Sequence, residues 1–271
     1  MELQKSLPDF ERHHIVPFAI SYDAVDVLAT FAAKQHITYT LLSDEGSTVM
    51  RALGLCNEHV FEHHAAYGVP QRDQHWGVPY PGVFLLDEQG YVRQKRFQQS
   101  YRERETGVAL LEQGFGLLST VHGIPVHAQA QGVQVTVRLD SLTYRAFQRL
   151  WLRLDISIEA GLHVYGQPLP EGFIPLTVAV TPAAGLVVGS PEFPSPTLHR
   201  LAGLDEDFYI FEGKLTVSVP LTFTQDEHDT VVQVAIRYQA CSDALGCFMP
   251  QTVALQVPVQ VQDHVDRPRQ R

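Results

Sequence analysis

Three cysteines occur in the 271-residue chain, and two of them, Cys241 and Cys247, stand six positions apart. Such a pair can form a disulfide only if the chain between them turns back. The residues between, Ser242-Asp243-Ala244-Leu245-Gly246, carry the Ser, Asp and Gly of a turn. A strand pattern ends near Ala240 and another follows Pro250. Facing positions of antiparallel strands have Cα atoms about 4.5–5.5 Å apart, inside the disulfide window. Closing a loop of about seven residues restricts the unfolded chain by only about 2 kcal/mol. A turn is also where another protein's thiolate can approach, which suits exchange better than reinforcement. The spacing by itself leaves a structural disulfide, a zinc site and two unrelated thiols as other readings. No second cysteine pair exists to complete four zinc ligands, so the sequence assigns no metal.

Two kinds of sequence pattern surround this pair. Residues 1–118 alternate helix and strand. An apolar run, Ile15 to Ile20, reads as a buried strand, and Asp23 is placed to cap a helix with Val25, Leu28, Ala29 and Ala32 on one face. Tyr39 to Leu42 reads as a strand ending at Ser43-Asp44, and Ser47 to Leu53 as a short helix. Gly82 to Leu86, the turn Asp87-Glu88-Gln89-Gly90 and Tyr91 to Phe97 read as a hairpin. Arg102 to Phe115 reads as a closing helix. Together these imply an α/β sheet of mixed direction. Cys56 lies in an apolar helical end and reads as a small buried hydrophobe. His59, His63, His64 and His75 contain an i, i+4 pair, but the Tyr67-Gly68-Val69-Pro70 that follows favours a solvated loop.

From residue 131 onward strands come at short intervals: Val133–Leu139, Arg149–Ile158, Ile174–Thr181, Leu215–Thr222, Thr230–Gln239 and Thr252–Val261. Pro- and Gly-rich connections separate several of them. This is the pattern of a β-sandwich over residues 131–262, with 119–130 as linker and 263–271 as a tail. The net charge of −10, from 20 basic and 30 acidic residues, argues against a nucleic-acid footprint. No apolar run approaches the roughly 20 residues of a membrane span. The first residues, MELQKSLPDFERHH, lack an apolar signal-peptide core, so the sequence reads as cytoplasmic.

The sandwich half resembles the N-terminal, immunoglobulin-like domain of the disulfide-bond reductase DsbD. The carriers are Tyr238-Gln239-Ala240-Cys241 and Cys247-Phe248-Met249-Pro250-Gln251-Thr252, with Met249 where a second proline is common. The resemblance implies protein thiol–disulfide interchange through Cys241 and Cys247, a periplasmic location, and thioredoxin-like redox proteins or a membrane electron donor as partners. It implies no cofactor. Asp205-Glu206-Asp207-Phe208-Tyr209 is similar to the family's cap loop, which gives Phe208 the role of covering the disulfide with Tyr209 beside it. Gly161-Leu162-His163-Val164-Tyr165-Gly166 looks like the family's turn near the site, so Tyr165 and Phe248 are expected to line it, with His163 at an edge. By the same resemblance Cys247 is the sulfur left buried and Cys241 the one that forms the mixed disulfide.

Residues 1–118 resemble the thioredoxin-like peroxiredoxins of the AhpC/TSA (redoxin) group. The carriers are Ala19-Ile20-Ser21-Tyr22-Asp23, Leu41-Leu42-Ser43-Asp44 and Tyr80-Pro81-Gly82-Val83-Phe84-Leu85-Leu86-Asp87-Glu88-Gln89-Gly90. Pro81 falls where such folds place a cis-proline. The first βα unit, with its peroxidatic cysteine, is not found ahead of Glu2, so the domain is expected to be incomplete. The fold class expected is α/β plus all-β: a thioredoxin-like domain followed by an immunoglobulin-like sandwich. Besides exchange, the sequence leaves open a peroxiredoxin-related antioxidant working through Cys56 and a docking module with a structural disulfide.

Overall fold

The computed structural model describes residues 2–66, 78–97, 104–120, 122–200, 207–225 and 228–262. The chain divides into two compact units, Met1–Val121 and His122–Arg271.

The first unit opens with helices α1 (Glu2–Lys5) and α2 (Leu7–Arg12). Pro8 sits in the first turn of α2, where a missing N–H costs nothing. Then follow β1 (Phe18–Ser21), α3 (Val25–Gln35), β2 (Thr40–Ser43), α4 (Thr48–Ala52), α5 (Val60–Ala66), β3 (Gly82–Leu86), β4 (Val92–Phe97), β5 (Arg104–Glu105) and α6 (Gly107–Ala109). β1 and β2 pair in parallel and β3 and β4 pair antiparallel, so both directions are present, in two separate two-stranded sheets. The Asp87 carboxylate accepts from the N–H groups of Gln89 and Tyr91 and holds the β3–β4 turn. Gly90, at φ +85°, supplies the left-handed residue that the turn requires.

Five local expectations are corrected. Ala24, not Asp23, is the N-cap of α3, and Asp23 instead accepts from the Ser21 hydroxyl. The closing helix is short: Thr106 caps α6, which widens into one π turn over Leu110–Gly114, while 101–103 lie outside the described residues. Cys56 is half-buried and sits past the end of α4, bridged to Pro79 as extended chain. Val60–Ala66 is a helix rather than a loop; His59 precedes it and pairs with Glu62 at 3.1 Å, while His75 lies outside the described residues. The Tyr80–Pro81 bond is trans; the cis bond among the described residues is Gln167–Pro168. Tyr80 N–H donates to the Leu55 carbonyl beside the Cys56–Pro79 bridge, so this stretch runs extended into β3 and makes no tight turn.

The second unit is an immunoglobulin-like β-sandwich. Its strands are β6 (Val126–Ala130), β7 (Val133–Leu139), β8 (Thr143–Tyr144), β9 (Gln148–Ile158), β10 (His163–Tyr165), β11 (Thr177–Val180), β12 (Leu186–Val188), β13 (Thr197–Arg200), β14 (Asp207–Phe211), β15 (Lys214–Phe223), β16 (Thr230–Tyr238), β17 (Ala240–Ser242), β18 (Gly246–Cys247) and β19 (Gln251–Val261). One sheet runs β12-β15-β9-β7-β6 and another β11-β16-β19-β8. Alternate residues of the long strands (Val133, Val135 and Val137; Leu152, Leu154 and Ile156; Val232, Val234 and Ile236) meet in one core. Val126–Ala130, expected as linker, is strand β6, paired with β7 from Val126↔Val137 to Ala130↔Val133. The short strands β8, β10, β12, β13, β14, β17 and β18 lie below the length at which alternation is legible.

In the first unit Asp9 is buried and ionised. Burial works against its charge, but hydrogen bonds from the Ser119 hydroxyl and from the Thr120 hydroxyl and N–H, with the Arg12 guanidinium beside it, hold its carboxyl well below the ordinary carboxylate range. A depressed acid stabilises the fold above its unfolded value of 3.8 and loses that contribution as pH falls below it. Amide protection at Phe10 and Leu111, taken relative to the intrinsic exchange rate at each pH, is therefore expected to fall as pH is lowered from 5 to 2. Asp9→Asn should weaken protection by about 2 kcal/mol at pH 5 and flatten this acid limb. An unchanged acid limb in the variant would contradict the assignment.

Candidate functional site: a disulfide on the outer face of a third sheet

At Gln239 the chain leaves β16 and enters β17, part of a third sheet ordered β13-β14-β10-β17-β18. Register on this sheet decides what faces what. Cys241 lies directly opposite Cys247 on one side and opposite His163 on the other. Directly opposite residues project to the same face. Tyr165, two residues from His163, shares that face, as does its partner Ile210. Phe208 and its partner His199 follow by the same alternation. The reverse face, Val164, Ala240 and Phe211, packs into the sandwich core. Five short strands thus gather two sulfurs, two imidazoles and two aromatic rings on one surface.

The sulfurs are bonded, with Cα atoms 3.9 Å apart. Beyond the paired residues Ser242 and Gly246, three residues make the loop. Gly246 at φ +78° takes the left-handed position that such a hairpin requires. Cys241 is buried, at 2% exposure, in a cluster with Tyr165, Phe208 and Ile210, flanked by Leu169 and Phe173. The rings of Tyr165, Phe173 and Phe208 stand edge-on or tilted with centroids 5.0–5.7 Å apart. Cys247, on the edge strand, is exposed. The burial expected of the two cysteines is therefore reversed: β17 is flanked on both sides, while β18 has a neighbour on one side alone.

The Tyr165 hydroxyl lies 3.7 Å from Cys247 Sγ and donates to it, since a disulfide sulfur has no proton to give. Burial, and then the Asp243 carboxylate, push the Tyr165 phenol above its ordinary value, which keeps it a donor. Asp243, in the loop between the cysteines, lies 3.3 Å from His199 Nε2 and 3.8 Å from His163 Nδ1. His163 is not at an edge: β10 runs between β14 and β17, and the residue is 3% exposed. Burial lowers its basicity, with Asp243 and Glu212 pulling the other way and His199 adding to the lowering, so the ring is neutral near pH 7.

Phe208 and Tyr165 pack in one cluster with Cys241. Two other residues assigned to the site do not. Tyr209 alternates to the face opposite Phe208, across from Leu198. Phe248, one past Cys247, turns back against the sandwich core, its N–H on the Ala240 carbonyl. Phe208 itself belongs to strand β14 rather than a loop, and Asp205 and Glu206 lie outside the described residues. Phe173, His199 and Asp243 went unassigned in the sequence. Phe173 lies in a connection read only as turn, and His199 in a strand four residues long.

Residues 127–258 match the family model of the thiol:disulfide interchange protein DsbD, N-terminal. The sandwich half is therefore similar to DsbD N-terminal domains. Residues 1–95 match the AhpC/TSA family, a thioredoxin-fold redoxin family. No curated protein matches the chain in sequence. Similar solved structures include the DsbD N-terminal domain of Neisseria meningitidis in reduced form, at 15% identity and TM-score 0.30, covering 41% of this chain and 82% of that one. The complex between the DsbD and PilB N-terminal domains of the same organism matches at 17% identity and TM-score 0.29, covering 50% and 80%. The N-terminal periplasmic domain of ScsB from Proteus mirabilis matches at 14% identity and TM-score 0.38, covering 52% and 54%. Both matched families are thiol-redox families, which gives the chain a redox role in general terms. Among the described residues no helix is long and apolar enough to cross a membrane.

The aromatic cluster of this domain is expected to be what buries Cys241. Phe208→Ala should cost about 3–5 kcal/mol in urea unfolding and make the reduced Cys241 thiol accessible to a small alkylating reagent. A thiol that stays as slow to alkylate in the variant as in the parent would rule out Phe208 as its cover.

Proposed function

We propose that the chain is a thiol–disulfide oxidoreductase that exchanges electrons with other proteins through Cys241 and Cys247. The observation that carries this reading is the asymmetry of the pair: one exposed sulfur on an edge strand, bonded to one buried beneath aromatic rings. In the reducing direction, the Cys247 thiolate attacks a partner disulfide, forming a mixed disulfide and releasing one partner thiolate. The Cys241 thiolate then attacks Cys247 Sγ, closing the intramolecular bond and releasing the second partner thiolate. Two electrons leave this chain for the partner. A thioredoxin-like protein or membrane donor restores the dithiol by the reverse steps.

The Tyr165 hydroxyl, already directed at Cys247 Sγ, is the group that stabilises the thiolate when the bond is cut. Asp243 opposes it, since a carboxylate near the sulfur disfavours a second negative charge. A hydrogen bond to a charged acceptor contributes about 1.5 kcal/mol, roughly one pKa unit. The peroxidase alternative through Cys56 has less support: that thiol is half-buried in a β-bridge. The domain boundaries follow the same reading, with a redoxin-like unit ahead of the exchange domain.

Reduced Cys241→Ser should accumulate a covalent complex with a thioredoxin-type disulfide protein, while Cys247→Ser should not. The pair should have a reduction potential above about −300 mV, since lower values mark structural bonds. A lower potential together with no trapped complex would leave the disulfide structural. In Tyr165→Phe the Cys247 thiol is expected to titrate about one unit higher, followed by thiolate absorbance in the Cys241→Ser background. An unchanged titration would remove Tyr165 from the mechanism.

A further inference from the structure

Beside the sulfurs, three side chains from separate segments converge. They are His163 on β10, His199 on β13 and Asp243 in the loop between the cysteines. One ligand atom from each lies within 4.8 Å of the other two. The Asp243 carboxylate is 3.3 Å from His199 Nε2 and 3.8 Å from His163 Nδ1. Tetrahedral zinc holds nitrogen and oxygen ligands at about 2.0–2.2 Å, which puts neighbouring ligand atoms about 3.4 Å apart. Two of the three separations are thus already near the edge length of such a tetrahedron. The third closes with small ring rotations and movement of the loop.

His163 adds an independent sign. Its ring is buried, and Nδ1, the nitrogen that faces Asp243, stands 3.8 Å from that carboxylate, beyond a hydrogen bond; the other nitrogen, Nε2, has no partner among the described residues either. A buried imidazole left this way costs free energy unless something else engages it. Two imidazoles and one carboxylate carry a net −1, a donor set suited to a borderline divalent cation rather than to magnesium or calcium.

We propose that His163, His199 and Asp243 form a binding site for one divalent transition cation of the zinc type, with a fourth position open to water. Asp243 lies within the Cys241–Cys247 loop, so an occupied site ties that loop to β10 and β13 and places a positive charge beside the exposed sulfur. The sequence reading looked for zinc among cysteines and found none; this set uses none. The site binds whether or not the disulfide exchanges, so its test stands apart from the trapping experiment.

Zinc chloride is titrated calorimetrically into the full oxidised chain near pH 7. One cation should bind per chain, with affinity reduced about tenfold or more in His199→Ala and in Asp243→Asn, and unchanged in His59→Ala. Asp243 is exposed, so its substitution leaves the fold intact and gives a clean arm even if His199→Ala is unstable. Cobalt(II) should give tetrahedral visible absorption that the same two substitutions abolish. No binding to the parent, or affinity retained in Asp243→Asn, overturns the proposal.

Discussion

Everything at the site follows from the pairing register of one short strand. With Ala240–Ser242 seated between β10 and β18, Cys241 faces Cys247 and His163 together. A slip of one residue would carry every side chain of β17 to the opposite face. Ala240 would then face out and Cys241 would point into the sandwich core. The register is held from the core side, because Val164, Ala240 and Phe211 fill space there that larger or polar residues could not. Core packing and redox geometry are two faces of the same three strands.

The fold was legible wherever strands are long. Val133–Leu139 was read with its observed limits, and Thr230–Gln239 and Thr252–Val261 within one residue, because alternation over seven or more positions is a strong signal. It failed where elements are short. β6 passed for linker because two of the three residues on its apolar face, Ala128 and Ala130, are alanines with little strand preference, and β13 and β14 have too few residues to show a period. The hairpin of the first unit was read correctly from Asp87 and Gly90, which carry the turn in their own chemistry. Asp23 misled because Asp also favours the residue before a cap, where its carboxylate binds a neighbouring serine instead.

The site was legible in part for the same reason. Two cysteines across a small turn announce themselves locally, and so does a pairing of facing positions. Which cysteine is buried depends on which strand lies at the sheet edge, a property of topology and not of spacing. Phe248 and Tyr209 were assigned to the site through the family resemblance, as the immediate neighbours of Cys247 and Phe208. Alternation along a strand sends immediate neighbours to opposite sides, so nearness of one residue counts against a shared face. His199 and Asp243 meet across 44 positions of chain, a distance that no local pattern bridges.

The brevity of β18 has a consequence for motion. It is two residues long and joins the sheet through the pairs Cys241↔Cys247 and Ser242↔Gly246, with Phe248 as anchor just beyond. Once the covalent link is cut, the hairpin tip from Ser242 to Gly246 is retained by little more than a rung or two of ladder, and rungs at a sheet margin fray readily. The dithiol state is accordingly the looser of the two, with its added freedom confined to this tip. The rest of the sheet, backed by the sandwich core, has no reason to register the change.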